Sequence, residues 1–313
     1  MLSIIVRRLA ISIVLILVVT FLTYLLQSFL PGDAARAMLG LTGSPDQYQA
    51  MRKALHLDEP LIVQYWLYLA GLLRFDLGNS IFTQEPVAHS LAVRSQVSAS
   101  LVVGTTLVAT LLGVGLGMLS VLRGGIIAKI LDVFALIAWA TPGFWLALLL
   151  TTAFSVAIPI FPAIGYIDFE KDLGGWAKSL VLPVAAMSVG GIAAIARITR
   201  ESMSRELEKE YIRTLRASGV GTGSLVWKHA LKNAGLTIIT VIGLVFIGSM
   251  LGTIFIEQVF ALPGLGSLLI DATRLHDIPV IQGVALAFTL TVVVVNLLVD
   301  LSYTWLNPKV RTS

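Results

Sequence analysis

The chain has 313 residues, of which 57% are hydrophobic and only 13% are charged. Soluble domains usually have about 25% charged residues, so this composition indicates a polytopic membrane protein. The absence of cysteine excludes disulfides and thiolate metal sites, and the net charge of +4 does not indicate nucleic-acid binding because the basic residues border apolar segments.

Six apolar runs are long enough to cross a hydrocarbon core, which takes about 20 helical residues. A backbone in lipid must satisfy its own hydrogen bonds, so we predict an all-α fold with six transmembrane helices. Pro142 and Pro183 fall inside two of the runs, and each should kink or break its helix. The predicted spans are Leu9–Leu30, Leu101–Leu122, Ile130–Ile158, Leu180–Ile198, Gly235–Ile256 and Val280–Leu306.

The first run follows Arg7 and Arg8, as the apolar region of a signal peptide would. Such a region has about 7–15 residues, whereas this run has 22. We therefore interpret residues 1–30 as a retained N-terminal transmembrane helix.

The distribution of basic residues predicts the orientation. With the N-terminus in the cytoplasm, the inner segments carry 14 of the 22 Lys and Arg residues and a net charge of +8, and the outer segments carry −4. Basic residues in short loops favour the cytoplasm, so we predict both termini inside. This gives an extracytoplasmic insert at 31–100, a transmembrane core at 101–306 and a cytoplasmic tail at 307–313. The core includes a cytoplasmic segment at 199–234 and an outer re-entrant segment at 257–279.

The insert should contain about four helical pieces. Its aromatic residues Tyr65, Trp66, Tyr68 and Phe75 could lie along the membrane interface or form a small core. The insert could equally be a cap packed on the bundle or a docking surface for a partner.

The sequence lacks the residues that several classes of function require. The spans are almost free of ionisable side chains, which a proton- or ion-coupled carrier needs. No metalloprotease or nucleophile-elbow motif is present, the four histidines lie outside the spans without metal-ligand spacing, and "GVGTGS" at 219–224 lacks the lysine of a phosphate-binding loop. We therefore expect no catalytic residue, no metal and no cofactor in this chain.

Two pairs of glycines are spaced four residues apart within the spans. Gly113 with Gly117, and Gly248 with Gly252, should allow close helix packing. Lining a passage is the alternative interpretation for both pairs.

The cytoplasmic segment is predicted to be organised rather than a simple connector. The fourth span should continue as an amphipathic helix through "RITRESMSRELEKEYIRTL", end at Gly219, and be followed by a helix capped by Ser224. A solvated positive-inside loop is the alternative. Apolar side chains at Tyr211, Ile212, Leu215 and Val220 beside arginines instead favour burial in the groove of another protein.

This segment, "EYIRTLRASGVGTGSLVWKHALKNAG" at 210–235, resembles the coupling segment of permeases of ABC importers, in particular the peptide- and nickel-type group. Further matching stretches are "LPGDAA" at 30–35, "LHLDEPLIVQYWLYLAGLLRFDLGNS" at 55–80, "TPGFWLALLL" at 141–150, "FALPGLGSLLIDATRLHDIPVIQG" at 260–283 and "NLLVDLSYTWLNPKVR" at 296–311. Where such permeases generally have Glu-Ala-Ala and a later Gly, this chain has Arg213, Thr214, Leu215 and Gly219.

The resemblance implies a bundle like that of type I ABC importers in a bacterial or archaeal plasma (inner) membrane. It implies four kinds of partner: a second homologous permease, two cytoplasmic ATPases that bind ATP and Mg, an extracytoplasmic solute-binding protein and membrane lipid. ATP hydrolysis would occur in the partners, so this chain is not expected to be an enzyme. The implied cargo is a di- or oligopeptide, with a nickel chelate or glutathione as the alternative. A stand-alone secondary transporter or channel is the alternative from another class.

The resemblance also implies roles for residues. The predicted ATPase-coupling residues are Tyr211, Arg213, Thr214, Leu215, Arg216, Ala217, Ser218, Gly219 and Val220, with Lys228 and His229 on the returning helix. The predicted pathway-lining residues are Phe144, Trp145, Met250 and Glu257.

Overall fold

A computed structural model describes residues 2–29, 32, 34–39 and 44–306, and every regular element in them is a helix. The tail at 307–313 and part of "LPGDAA" lie outside the described residues. The helices are α1 (Leu2–Gln27), α2 (Ala34–Leu39), α3 (Pro45–Ala54), α4 (Leu61–Leu72), α5 (Val87–Arg123), α6 (Gly125–Ala140), α7 (Gly143–Thr151, continued by a π-helix at Thr152–Ala157), α8 (Leu173–Leu207), α9 (Glu210–Ala217), α10 (Thr222–Ser224), a π-helix (Leu225–Ala230), α11 (Leu231–Val259), α12 (Leu265–Leu275) and α13 (Ile278–Leu306).

Five helices in the described part of the chain are long and apolar enough to cross a membrane, and there are six if the bent pair α6 and α7 is one span. The all-α prediction is confirmed. The predicted span limits differ from the helix ends, because α5 begins 14 residues before Leu101 and α8 extends past both Leu180 and Ile198. An apolar run marks the part that lipid can cover, whereas a helix continues into water wherever its residues permit.

The two prolines within predicted spans behave differently. At Pro142 the helix stops after Ala140 and restarts at Gly143, with a bend of 97° between the two parts. The predicted break is therefore confirmed there. At Pro183 α8 is continuous, so the helix is not broken there, and a kink at that residue stays a prediction. Pro183 is buried, so its missing amide donor is tolerated where α8 packs inside the protein.

The chain divides into two compact units, formed by Met1–Ser98 with Pro263–Val293 and by Ala99–Leu262 with Val294–Ser313. We refer to them as unit 1 and unit 2.

Unit 1 contains α1 to α4 and α12. Helices α2, α3 and α4 lie in the predicted insert, so the described part of that insert has three short helices before α5 begins. Tyr65 and Tyr68 of α4 pack against Tyr24 of α1 with ring centroids 5.7 Å apart in each case, whereas Trp66 and Phe75 are exposed. Two of the four aromatic residues thus form a small core and two do not.

The segment predicted to be re-entrant forms the end of α11, a turn and α12. In unit 1, α12 buries Leu265 and Ala272 against Val87 and the start of α13. A carboxylate fixes the junction after α12, because Asp277 accepts hydrogen bonds from Ser80 Oγ at 2.5 Å and from the backbone N–H of Ile81 at 3.2 Å. Packing against protein is confirmed for this segment, and its re-entrant placement in the membrane stays a prediction.

Unit 2 is built around α8, which contacts α6, α7 and α11. Glycine lets α5 approach α8 closely. A Cβ at Gly113 would lie 2.7 Å from Ile195 Cβ, and one at Gly117 would lie 2.6 Å from the carbonyl oxygen of Ala196. The close-packing interpretation of this first glycine pair is confirmed.

Candidate functional site

The polar segment at 199–234 is a helix between two turns, not one continuous helix. Helix α8 ends at Leu207, and α9 begins at Glu210 after the extended backbone of Lys209, which has φ −66° and ψ 149°. The prediction that the fourth span continues without interruption is therefore wrong. The charged periodicity continues across the break, but an extended residue redirects the chain there.

Helix α9 ends as predicted at Gly219, whose φ is +86°. The N–H of Val220 donates to the carbonyl of Leu215 at 3.1 Å, and the N–H of Gly219 donates to that of Arg216 at 3.1 Å. These two bonds form a Schellman motif, in which the residue with positive φ is almost always glycine because a Cβ strains that conformation. Glycine thus closes α9 at a defined angle.

The returning helix begins earlier than predicted. Gly221 is the extended residue before α10, with ψ 146°, and Ser224 has helical dihedral angles of −66° and −40°. A residue inside the helix cannot be its N-cap, so the capping role predicted for Ser224 is wrong. From Thr222 the helix runs through the π-helical turn and α11 to Val259 without a break.

One face of α9 is buried in a core shared with three other helices. Ile212 is fully buried, and Tyr211, Leu215 and Val220 pack around the same cluster. The cluster's buried members are Met118 of α5, Met203 of α8, Ile212 of α9, Leu225, Val226 and Ala230 of the π-helix, and Ala234 and Ile238 of α11. Burial on this scale keeps α9 packed against the ends of the long helices.

A polar network lies beside this core. The Glu206 carboxylate, 9% exposed, accepts from Lys209 Nζ at 2.5 Å and from the Tyr211 hydroxyl at 3.0 Å. The same hydroxyl accepts from Asn233 Nδ2 at 2.9 Å. Burial raises the pKa of Tyr211, so its phenol keeps the proton that it donates to Glu206. We call these residues the Glu206–Tyr211–Asn233 network.

The opposite face of α9 is exposed and basic. Arg213 and Arg216 are exposed, and neither forms an ion pair with any described residue. Trp227 on the neighbouring π-helix is 60% exposed. An exposed surface with arginine and tryptophan, on a helix whose back is fixed in a core, is typical of a site for a protein partner.

A separate cavity of about 480 Å³ lies within unit 2, between the α6–α7 bend, α8 and α11. None of the described residues that line it has a charged side chain. They include Phe144 at the bend and the second glycine pair, Gly248 and Gly252. A Cβ at Gly248 would meet nothing within 4 Å, and one at Gly252 would meet Met187 Cε at an ordinary contact distance of 3.7 Å. Neither glycine is therefore required for close packing within this chain, and a lining role for the pair stays a prediction.

A family model described as the binding-protein-dependent transport system inner membrane component matches residues 109–312. A second model, for the N-terminal part of such membrane components, matches residues 1–102. The chain belongs to this family. It is therefore a multi-pass membrane component of a transport system.

Full-length relatives agree with the family models. The chain is 38% identical over 312 residues to a putative peptide transport system permease protein of Brucella abortus, and 99% of each chain is covered. It is 36% identical to a glutathione transport system permease protein of Pectobacterium atrosepticum, again with 99% of each covered. It is 33% identical to a dipeptide transport system permease protein of Alkalihalophilus pseudofirmus, over 99% of this chain and 100% of that one.

A solved structure shares the fold of this membrane component. The MetNI methionine ABC transporter in an inward-facing conformation matches with a TM-score of 0.51 and 17% identity, over 68% of this chain and 97% of that chain. At this identity the similarity concerns the fold alone.

The structure brings the predicted coupling residues together on α9 and its C-terminal turn, but on two faces. Tyr211, Leu215 and Val220 face the core, and the exposed members are Arg213, Thr214, Arg216, Ala217, Ser218 and Gly219. On the returning helix Lys228 is exposed and His229 is half-buried. The coupling role of all these residues stays a prediction.

The predicted pathway residues are more scattered. Phe144 lines the cavity, whereas Trp145, Met250 and Glu257 are not among its walls, and Glu257 is fully buried. The lining role of these three residues stays a prediction.

The sequence pattern indicated only local ion pairing for Glu206, and it singled out neither Asn233 nor Trp227. A tryptophan within a polar stretch was a usable signal for Trp227. The sequence gives no signal that Glu206 and Asn233 bind Tyr211, because these hydrogen bonds join residues that are 5 and 22 positions apart, respectively.

Proposed function

We propose that this chain is the permease subunit of an ATP-driven ABC importer for di- or oligopeptides. The observation that carries the proposal is the collinear similarity, at 38% identity over 312 residues, to a putative peptide transport permease. The similarity at 36% identity to a glutathione transport permease supports glutathione as the alternative cargo. A nickel chelate is the second alternative; no group of three potential metal-ligating side chains occurs among the described residues.

In this proposal the chain has both termini in the cytoplasm and forms the translocation pathway with a second homologous permease. The uncharged cavity in unit 2 is its share of that pathway. A passage without charged walls fits cargo whose side chains vary, because it neither attracts nor repels particular charges. Selection then rests with an extracytoplasmic solute-binding protein, and the insert at 31–100 faces that side.

In the proposed mechanism, ATP hydrolysis by the partner ATPases acts on this chain through α9. Two cytoplasmic ATPases, which bind the ATP and Mg, dock on its exposed basic face, and their closure displaces the helix. The buried face carries that displacement to α5, α8 and α11 through the shared core. Coupling of this kind requires an element whose position biases two states of the bundle.

Reconstitution in liposomes tests the proposal. We expect ATP-driven uptake of a labelled dipeptide when the second permease, the ATPases and the binding protein are present, and no uptake by this chain alone. Competition with unlabelled tetrapeptide, glutathione and nickel chelate then identifies the cargo. Uptake by the purified chain without ATPases would contradict the proposal and indicate a secondary transporter.

Gly219→Val should weaken coupling through the backbone alone, because a Cβ at this position meets no other atom within 4 Å. A left-handed backbone conformation costs a residue that has a Cβ about 1–2 kcal/mol. If the population of the intact turn falls accordingly, uptake should fall roughly 5- to 30-fold. Uptake and ATP hydrolysis are measured on the same reconstituted complex.

Gly219→Asn is the matched control, because asparagine tolerates positive φ. It should retain most of the uptake. Equal losses with valine and asparagine would show that the left-handed turn is not what matters at this position.

A further inference from the structure

We infer that Glu206, Tyr211 and Asn233 are positioning residues that make α9 move as one body with α8 and α11. The inference rests on the proposed coupling role of α9. It concerns a function of these side chains within the chain itself, not their contact with a partner.

The backbone alone does not give α9 a fixed direction. Its link to α8 is the pair Glu208 and Lys209, and its link to α10 passes through Val220 and Gly221. Lys209 and Gly221 are both extended, at ψ 149° and 146°. Residues of this kind between helices are where hinges absorb changes in dihedral angle. A force applied to α9 would bend these links unless something else joined the helices.

The hydrophobic core beneath α9 does not remove this freedom completely. Apolar contacts are non-directional, so they keep α9 against its neighbours but resist sliding and rotation less than hydrogen bonds do. The Glu206–Tyr211–Asn233 network supplies the directional links. Glu206 lies in the last turn of α8, Tyr211 in the first turn of α9, and Asn233 in the first turn of α11.

One hydroxyl joins all three helices. The Tyr211 oxygen donates to the Glu206 carboxylate at 3.0 Å and accepts from Asn233 at 2.9 Å. The carboxylate is 9% exposed, and its other oxygen is occupied by Lys209 at 2.5 Å. A buried carboxylate makes strong hydrogen bonds and is costly to leave with a missing partner, so the network resists separation of the helices.

Tyr211→Phe tests the inference by removing only the hydroxyl. The measured quantity is the number of cargo molecules imported per ATP hydrolysed by the reconstituted complex. A lost hydrogen bond to a charged group corresponds to a fall of about tenfold in this ratio. The ATPases should stay bound, because Arg213 and Arg216 on the exposed face are unchanged.

Glu206→Gln is the second variant, since it keeps the shape of the side chain while removing the charge. It should lower the same ratio by weakening the hydrogen bond from Tyr211, and combining it with Tyr211→Phe should add little, because both changes act on the same Tyr211–Glu206 bond. Tyr166→Phe is the matched control. It removes a hydroxyl that accepts from Trp176 Nε1 at 3.1 Å, away from α9, and should leave the ratio within about twofold of wild type.

A residue that only stabilises the fold would lower the yield of complex but leave the ratio per complex unchanged. A wild-type ratio in both Tyr211→Phe and Glu206→Gln would therefore overturn the inference. Loss of the ATPases from the Tyr211→Phe complex would overturn it too, since the hydroxyl would then belong to the docking surface. If the wild-type complex binds no ATPase or shows no ATP-driven import, the coupling role fails first and the inference falls with it.

Discussion

Reversing the charge of both arginines on the exposed face of α9, with Arg213→Glu and Arg216→Glu, should abolish ATP-driven uptake. Both side chains are exposed, and neither pairs with a described residue, so their charge is available to a partner. Breaking one charge pair at an interface costs about 2–5 kcal/mol. Two reversals should therefore weaken ATPase binding by well over about 100-fold. Co-purification of the ATPases and uptake in liposomes measure the two effects.

The matched control carries the same change of net charge at the other end of α8. Lys171 and Lys178 are exposed there. Helix α8 has 35 residues, so its two ends are roughly 50 Å apart. Lys171→Glu with Lys178→Glu should retain the ATPases. If the double reversal on α9 also retained them and transported at the wild-type rate, α9 would be a simple connector.

Two glycine-to-valine substitutions should distinguish a glycine that is needed for close helix packing from one that lines the proposed passage. Gly117→Val places a Cβ 2.6 Å from the Ala196 carbonyl oxygen of α8, and a backbone atom cannot move aside as a side chain does. Overpacking costs about 1–3 kcal/mol where side chains can adjust, so we expect at least that loss of stability and little folded complex. Thermal unfolding and detergent-solubilised yield measure it.

Gly248→Val is the counterpart on α11. Its Cβ meets nothing within 4 Å and enters the cavity in unit 2. The unfolding temperature should stay near that of wild type while uptake falls, and more for a tetrapeptide than for a dipeptide. Equal destabilisation by both variants would mean that the cavity is an ordinary packing defect rather than a passage.

Features that depend on local chemistry could be predicted from the sequence. The end of α9 at Gly219 follows from glycine's access to positive φ, and the break at Pro142 follows from its missing amide donor. The all-α membrane fold follows from the length of the apolar runs and from the need to satisfy backbone hydrogen bonds in lipid.

Features that depend on neighbours could not be predicted. The pairs Gly113 with Gly117 and Gly248 with Gly252 have the same spacing, yet the first meets α8 and the second faces a cavity. Pro142 separates two helices, whereas Pro183 lies buried within a continuous one. The break before α9 was missed because charged residues with helical periodicity continue across it, and nothing in that periodicity marks Lys209 as extended.

The unbroken helix from Thr222 to Val259 has 38 residues, which is about 57 Å at 1.5 Å per residue. The hydrocarbon core is only about 30 Å thick, so roughly half of this rod protrudes beyond the lipid. If it tilts by about 5° around its midpoint, each tip swings by about 2.5 Å, as its length dictates. A small displacement of one end of the helix can thus displace the other end, on the opposite side of the bilayer, without rearranging any hydrogen bond within the helix.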